Sequence, residues 1–169
     1  MISTQNGDYK MTDTIENFTF DELVVGQTAQ MTRTLNKEDI AVFAAASWDT
    51  NPAHLDEEYA KNTLFGGVIV HGMWSAGLIS AAIGTQLPGV GTIYLGQDLQ
   101  FRRPVKIGDT VTAQITVLEK DEAKKRVVLE TLVINQNGEK GVVGKATVLA
   151  PAEKIVRPAI PVPKVQIVG

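Results

Sequence analysis

The stretch GGVIVHGMWSAGLISAAIG, residues 66–84, decides the fold. From His71 to Gly84 it is rich in Ala, Gly and Ser. Met73, Trp74, Leu78, Ile79 and Ile83 are spread around the circumference of a helix rather than along one stripe, so the helix is expected to be buried on nearly all sides. At about 14 residues it is too short to cross a bilayer. Small residues at Ala76, Gly77, Ser80, Ala81 and Gly84 let other backbone come close, and such a helix needs something wrapped around it. The downstream sequence supplies that wrapping: TIYLGQDLQF, TVTAQITVLEK, RVVLETLVIN and GVVGKATVLA are strand-like runs, parted by the turn signals RRPVKIGD, DEAKK and QNGEK. Val111, Ala113, Ile115 and Val117 alternate with polar residues and give the sheet one apolar face. Short connections favour antiparallel pairing, and Asn137-Gly138 suits a tight hairpin. The predicted fold is therefore α+β, a long curved antiparallel sheet wrapped around one central helix. In so small a domain a second copy is a natural way to complete burial, so a homodimer, or a higher homo-oligomer, is expected.

Upstream of residue 66, FDELVVG (20–26) suggests a short turn of helix, and Thr28 to Leu35 partly alternates as a strand. Asn36 can cap the next helix, with Asp39 near its positive end. Pro52 disfavours helical geometry at Asn51, so the chain should leave that helix near Trp48 and Asp49 and loop through Asn51, Pro52 and Ala53. One more short helix fits between Leu55 and Asn62. Residues 1–17 are polar, lack the apolar run of a signal peptide and read as a flexible lead-in. Residues 18–151 form the predicted domain. Residues 152–169 carry Pro158, Pro161 and Pro163 and read as an extended tail that pairs poorly as a central strand.

Composition removes whole classes of function. The chain has 169 residues and fits one domain, long enough to bury roughly 70% of its unfolded surface. It has no cysteine, which excludes disulfides, thiolate metal sites and a cysteine nucleophile and is compatible with the cytoplasm, the expected location. A net charge of -3 with no basic run argues against nucleic acid and anionic membrane as partners. No apolar run reaches the length of a membrane span. A small molecule is the expected partner.

Candidate chemistry gathers where the chain's two histidines, His54 and His71, flank the loop and the core-helix entrance. Asp49 and His54 can approach across the Thr-Asn-Pro-Ala loop and share a water, the imidazole exchanging protons near neutral pH while the carboxylate favours deprotonation. Residue types alone favour a plainer reading, in which Asp49 caps a turn, Asn51 makes an Asx-turn and His54 packs there. His71 reads as a hydrogen-bonded, partly buried supporting residue. Gly72, at the first turn of the helix, offers an unsatisfied amide that a ligand carbonyl can reach, although a glycine for tight helix–sheet packing fits equally. The sequence lacks G-x-S-x-G, H-E-x-x-H and a phosphate-loop pattern, and Gly84, Gly89, Gly91 and Gly96 do not open a helix.

Three ordered motifs now carry a resemblance: DTNPAHLD from Asp49, FGGVIVHGMWSAGLIS from Phe65 and IYLGQDLQFRRPVKIGDTV from Ile93. Over roughly Phe20 to Pro151 the chain resembles the MaoC-like (R)-specific enoyl-CoA hydratases. The resemblance implies a hot-dog fold, a homodimer, and syn addition of water to a trans-2-enoyl-CoA without metal or redox cofactor. It makes Asp49 and His54 the pair that activates water and Gly72 the amide donor to the thioester oxygen. Ser80 matches a serine near the family's active site and becomes a pocket-lining candidate. Trp74 and Leu78 are candidates for setting acyl-pocket depth, and Arg102, Arg103 and Lys106 for meeting CoA phosphates. Trp48 before Asp49, Ala53 before His54 and the extensions at both ends depart from the common pattern. A hot-dog acyl-CoA thioesterase and a non-catalytic acyl-CoA-binding module are the competing readings, because fold alone does not choose among them.

Overall fold

The computed structural model describes residues 14–168. These run in order through β1 (Thr14–Glu16), β2 (Thr28–Thr34), α1 (Lys37–Ser47), α2 (Pro52–Leu55), α3 (Glu57–Lys61), α4 (Gly72–Thr85), β3 (Ile93–Phe101), β4 (Thr110–Asp121), β5 (Arg126–Asn135), β6 (Lys140–Leu149) and β7 (Val156–Pro158). Five strands make one sheet in the order β2-β4-β5-β6-β3, with every neighbouring pair antiparallel. The alternation in β4 does what its period demands: Val111, Ala113, Ile115 and Val117 are all fully buried on the face that meets α4. Register shifts at Tyr94/Gly96 and at Val117/Glu119 insert extra residues into β3 and β4, the local device that bends a sheet around a helix. Gly144 lets β3 and β6 close up, because a Cβ there would collide with the Asp98 carbonyl.

Helix α4 lies on the concave face as expected, with Trp74, Ser75, Leu78, Ile79, Ala82 and Ile83 turned into the core. Burial on nearly all sides does not hold, however. Met73 is 56% exposed, and Gly77, Ser80 and Gly84 are exposed along the same stripe. The open stripe stands beside another unfinished surface, since β3 is an edge strand whose Ile93, Leu95 and Phe101 are about half exposed.

The two ends also depart from expectation. Residues 1–13 of the predicted lead-in lie outside the described residues, but Thr14–Glu16 pairs with Val156–Pro158 of the tail as a separate two-stranded sheet. Asn17 follows with 0% exposure, its amide donating to the Glu153 carbonyl and its Oδ1 accepting from Ile155 N–H, both at 2.9 Å. The prolines keep this pairing short and off the main sheet, as their missing donors require. FDELVVG makes turns rather than a helix, with Phe20 and Leu23 anchored in the core. No helix of the described residues is long and apolar enough to cross a membrane.

Candidate active site

Helix α1 delivers Asp49. The carboxylate of Asp39 accepts from the Asn36 amide at 3.0 Å and secures the helix start. The helix ends at Trp48, whose φ of 63° is left-handed, and the Trp48 amide returns to the Ala44 carbonyl. That reversal turns the chain out of the helix just before Asp49. The Asp49 carboxylate then accepts from Asn51 N–H at 3.1 Å, the turn contact that its residue type suggests.

His54 stands on a helical turn, where a loop through Pro52 and Ala53 was predicted. Pro52 occupies the first helical position, where its missing donor costs nothing, and Asn51 caps the turn by accepting from Ala53 N–H. The half-buried His54 ring is held by its Nδ1, which lies 2.8 Å from the carbonyl oxygen of Ile69. A carbonyl only accepts, so Nδ1 carries the proton and Nε2 holds the lone pair. The ligand atoms of Asp49, His54 and His71 all lie within 4.8 Å of one another.

His71 is more deeply placed than a partly buried support, at 2% exposure. It is the N-cap residue of α4 and follows an isolated bridge at Ile69 rather than a full strand. Its Nε2–H donates to the Asp49 carbonyl at 2.9 Å, while Nδ1 has no partner among the described residues. The two imidazoles stack, with centroids 3.9 Å and planes 29° apart. Stacked rings direct their in-plane lone pairs side by side instead of converging on one point about 2 Å from each, so this trio is arranged for hydrogen bonding and fits one shared metal ion poorly.

No side chain caps the start of α4, and Gly72, its first residue, keeps an amide without an intrahelical partner. A Cβ on Gly72 would come within 2.8 Å of the Phe101 ring, so the glycine serves close packing as well as access. His54, Gly72, Met73 and buried Ser75 share a cavity of about 430 Å³ with Phe65, Phe101, Val105, Arg102 and Arg103. Of the predicted residues, His54, Gly72, Arg102 and Arg103 therefore meet in one place, with the exposed Asp49 carboxylate at the His54 edge. Arg103 pairs with Glu139 at 3.2 Å, whereas Arg102 makes no ion pair among the described residues and meets Gln100. Lys106 is turned to the Phe65 carbonyl at 2.9 Å.

Trp74, Leu78 and Ser80 are not brought to this cavity. Trp74 and Leu78 are each 7% exposed and belong to the core cluster, because their positions on α4 face the sheet. Ser80 lies on the open stripe. Ser75 and Phe101 line the cavity and were not singled out from the sequence. Helical geometry offered a signal for Ser75, which lies three residues after Gly72 and so shares its face.

A five-stranded antiparallel sheet curled around one helix, with a carboxylate, an imidazole and an uncapped helix start gathered at one cavity, is the architecture of a hot-dog protein. The chain belongs to the MaoC-like family, whose domain model, described as MaoC like domain, matches residues 22–138. An (R)-specific enoyl-CoA hydratase of Rhodospirillum rubrum is 48% identical over 133 residues, 79% of this chain and 92% of that protein. The enzyme of the same description from Aeromonas caviae is 46% identical over 76% of this chain and 96% of its own length. Among solved structures, the unliganded R-hydratase PhaJ1 of Pseudomonas aeruginosa aligns with a TM-score of 0.86 at 48% identity, covering 91% of this chain and 99% of that one.

Proposed function

We propose that the protein is a hydro-lyase that adds water reversibly to a trans-2-enoyl-CoA, giving an (R)-3-hydroxyacyl-CoA. The observation that carries the reading is the tethered imidazole. With Nδ1–H committed to Ile69 O, the basic Nε2 is left for a water that the Asp49 carboxylate can also hold. The (R) configuration follows the relatives at 46–48% identity, which are (R)-specific enoyl-CoA hydratases.

In the proposed step the thioester carbonyl lies at the start of α4 and accepts from Gly72 N–H. That polarisation draws electrons from the double bond and makes C3 electrophilic. Water held by Asp49 and His54 attacks C3, loses a proton to the pair, and the pair returns a proton to C2, so the elements of one water are added. The enolate charge that develops meanwhile rests at the Gly72 amide, where one oriented donor contributes about 3 kcal/mol of transition-state stabilisation. Arg102 and Arg103 at the cavity wall are assigned to the CoA phosphates, Arg102 first because it has no acidic partner among the described residues.

The same reading assigns the open stripe of α4 and the edge of β3 to a second copy in a homodimer. Met73, Ile93, Leu95 and Phe101 form apolar surface at both places, and Ser80 would be covered with them and join the substrate pocket only in the assembled protein. Trp74 and Leu78 then act on acyl depth only through core packing. The reaction is placed in the cytoplasm, with which a cysteine-free sequence is compatible.

The test is to mix purified protein with crotonyl-CoA and longer enoyl-CoAs and follow the enoyl-thioester ultraviolet absorbance, product identity and free thiol. Loss of absorbance with 3-hydroxyacyl-CoA as product and no thiol supports the hydratase. Thiol release points instead to a thioesterase, and binding without turnover to an acyl-CoA-binding module.

A further inference from the structure

The proposed reaction gives His71 no proton to move, yet this residue touches Asp49 and His54 and adjoins Gly72. Its Nε2–H donates to the Asp49 backbone carbonyl at 2.9 Å. Its ring stacks on His54 at 3.9 Å and meets Phe43 of α1 at 5.0 Å between centroids. As the N-cap residue of α4 it is covalently joined to Gly72. Its Nδ1 is buried without a partner among the described residues. An unpaired buried nitrogen costs free energy that a phenyl ring would not, so space-filling alone is a poor reason for a histidine here.

The groups it touches need holding. Asp49 follows a left-handed residue, and its own amide is held by a long bond of 3.3 Å to Ser47 Oγ. His54 is tethered at one nitrogen, a bond that leaves the ring free to tilt unless something lies against its face. Displacement of a reacting group by about 1 Å is enough to lower a rate by about 100-fold.

We propose that His71 is a positioning residue for the hydration step. It holds the Asp49 backbone and the His54 ring in register with the Gly72 amide, so that carboxylate, Nε2 and oxyanion donor converge on one water and one thioester. The kinetic consequence rests on the hydratase reading, while the geometric one rests on the bond and the ring contact alone.

The sequence makes the test clean, because His54 and His71 are its only histidines. Replacing His71 leaves one imidazole, whose ring proton and nitrogen resonances then report on His54 directly. His71→Phe keeps an aromatic face and removes the donor; His71→Gln keeps a donor and removes the ring. Each folded variant is compared with the parent by nuclear magnetic resonance and by steady-state kinetics on crotonyl-CoA.

The expected result is a change in the His54 resonances in both variants, with loss of the upfield ring-current shift in His71→Gln, where the stacked ring is gone. The kcat should fall about 10- to 100-fold while KM stays within about 3-fold. Unchanged resonances overturn the proposal, as does unchanged kcat, or a parallel loss of kcat, KM and melting temperature that marks a general structural defect. If the parent turns over no enoyl-CoA, the hydratase reading fails. The His54 resonances still decide whether His71 holds the ring.

Discussion

Two substitutions of His54 separate its chemistry from its anchorage, because each amide side chain replaces a different ring nitrogen. In His54→Asn the amide nitrogen lies near the position of Nδ1 and can still donate to Ile69 O, now 2.8 Å from the ring, but nothing remains at Nε2. In His54→Gln the longer amide reaches towards Nε2 and abandons Ile69. Loss of a general base lowers kcat by about 100- to 10,000-fold, equivalent to about 3–5 kcal/mol of barrier. Both variants should therefore be crippled when the loss of enoyl-thioester absorbance is followed with crotonyl-CoA. Their stabilities should differ. Breaking one partly buried hydrogen bond costs about 1 kcal/mol, which in a chain of this size lowers Tm by about 2–4 °C. His54→Gln should show that decrease in a thermal melt, and His54→Asn should stay within about 1 °C of the parent. An Asn variant that keeps a third or more of the parental rate would refute Nε2 as the base. A melt that penalises Asn and spares Gln would refute the tautomer.

Asp49→Asn keeps an oxygen for the Asn51 amide but loses the charge, so Tm should hold within about 2 °C while kcat falls at least about 100-fold; equal turnover would remove Asp49 from the mechanism. Asn17→Ala breaks the bonds to Glu153 O and Ile155 N that join the two ends of the chain. It should cost about 1–3 kcal/mol in a denaturant titration without changing kcat, and an unchanged midpoint would show that the β1–β7 pairing contributes nothing. Trp48→Gly relieves a left-handed backbone at a side chain that is 87% exposed, so Tm should rise by up to about 3 °C. A fall would mean that the indole is covered in the assembled protein.

The sheet was legible because its physics is local and periodic. Alternation at Val111 to Val117 names a face, and turn residues mark the strand ends, so β3 to β6 fall where the sequence places them. The Pro52 segment was less legible, since proline reads as a helix breaker at the residue before it but as a helix opener at its own position, and the structure uses both properties in succession. The pairing of Thr14–Glu16 with Val156–Pro158 could not be read from either segment. Each is too short and too polar or proline-rich to announce a strand, and only their meeting across the whole chain makes one.

The site was legible in its ionisable members and obscure in what orients them. Asp49, His54 and Gly72 are singled out by the resemblance, since their residue types alone favour a plain turn and a packing glycine, whereas the tether to Ile69 is a backbone carbonyl and leaves no mark on the sequence. His71 was seen, but one unpaired nitrogen and a stacked neighbour are facts of three dimensions. The reading of α4 went wrong for a different reason. Helix composition is set by the environment of the working assembly, so a helix apolar and small around its circumference reads as buried on nearly all sides. A single chain leaves Met73, Gly77, Ser80 and Gly84 open, on a protein whose neighbouring edge strand also carries apolar residues into solvent. If the proposed second copy covers this stripe, the composition was right about the assembly and wrong only about which chain does the wrapping. The same step explains why Ser80 is absent from a cavity that holds His54, Gly72 and Ser75: the missing wall would belong to another copy, and the size of the acyl pocket would then be set by two chains together.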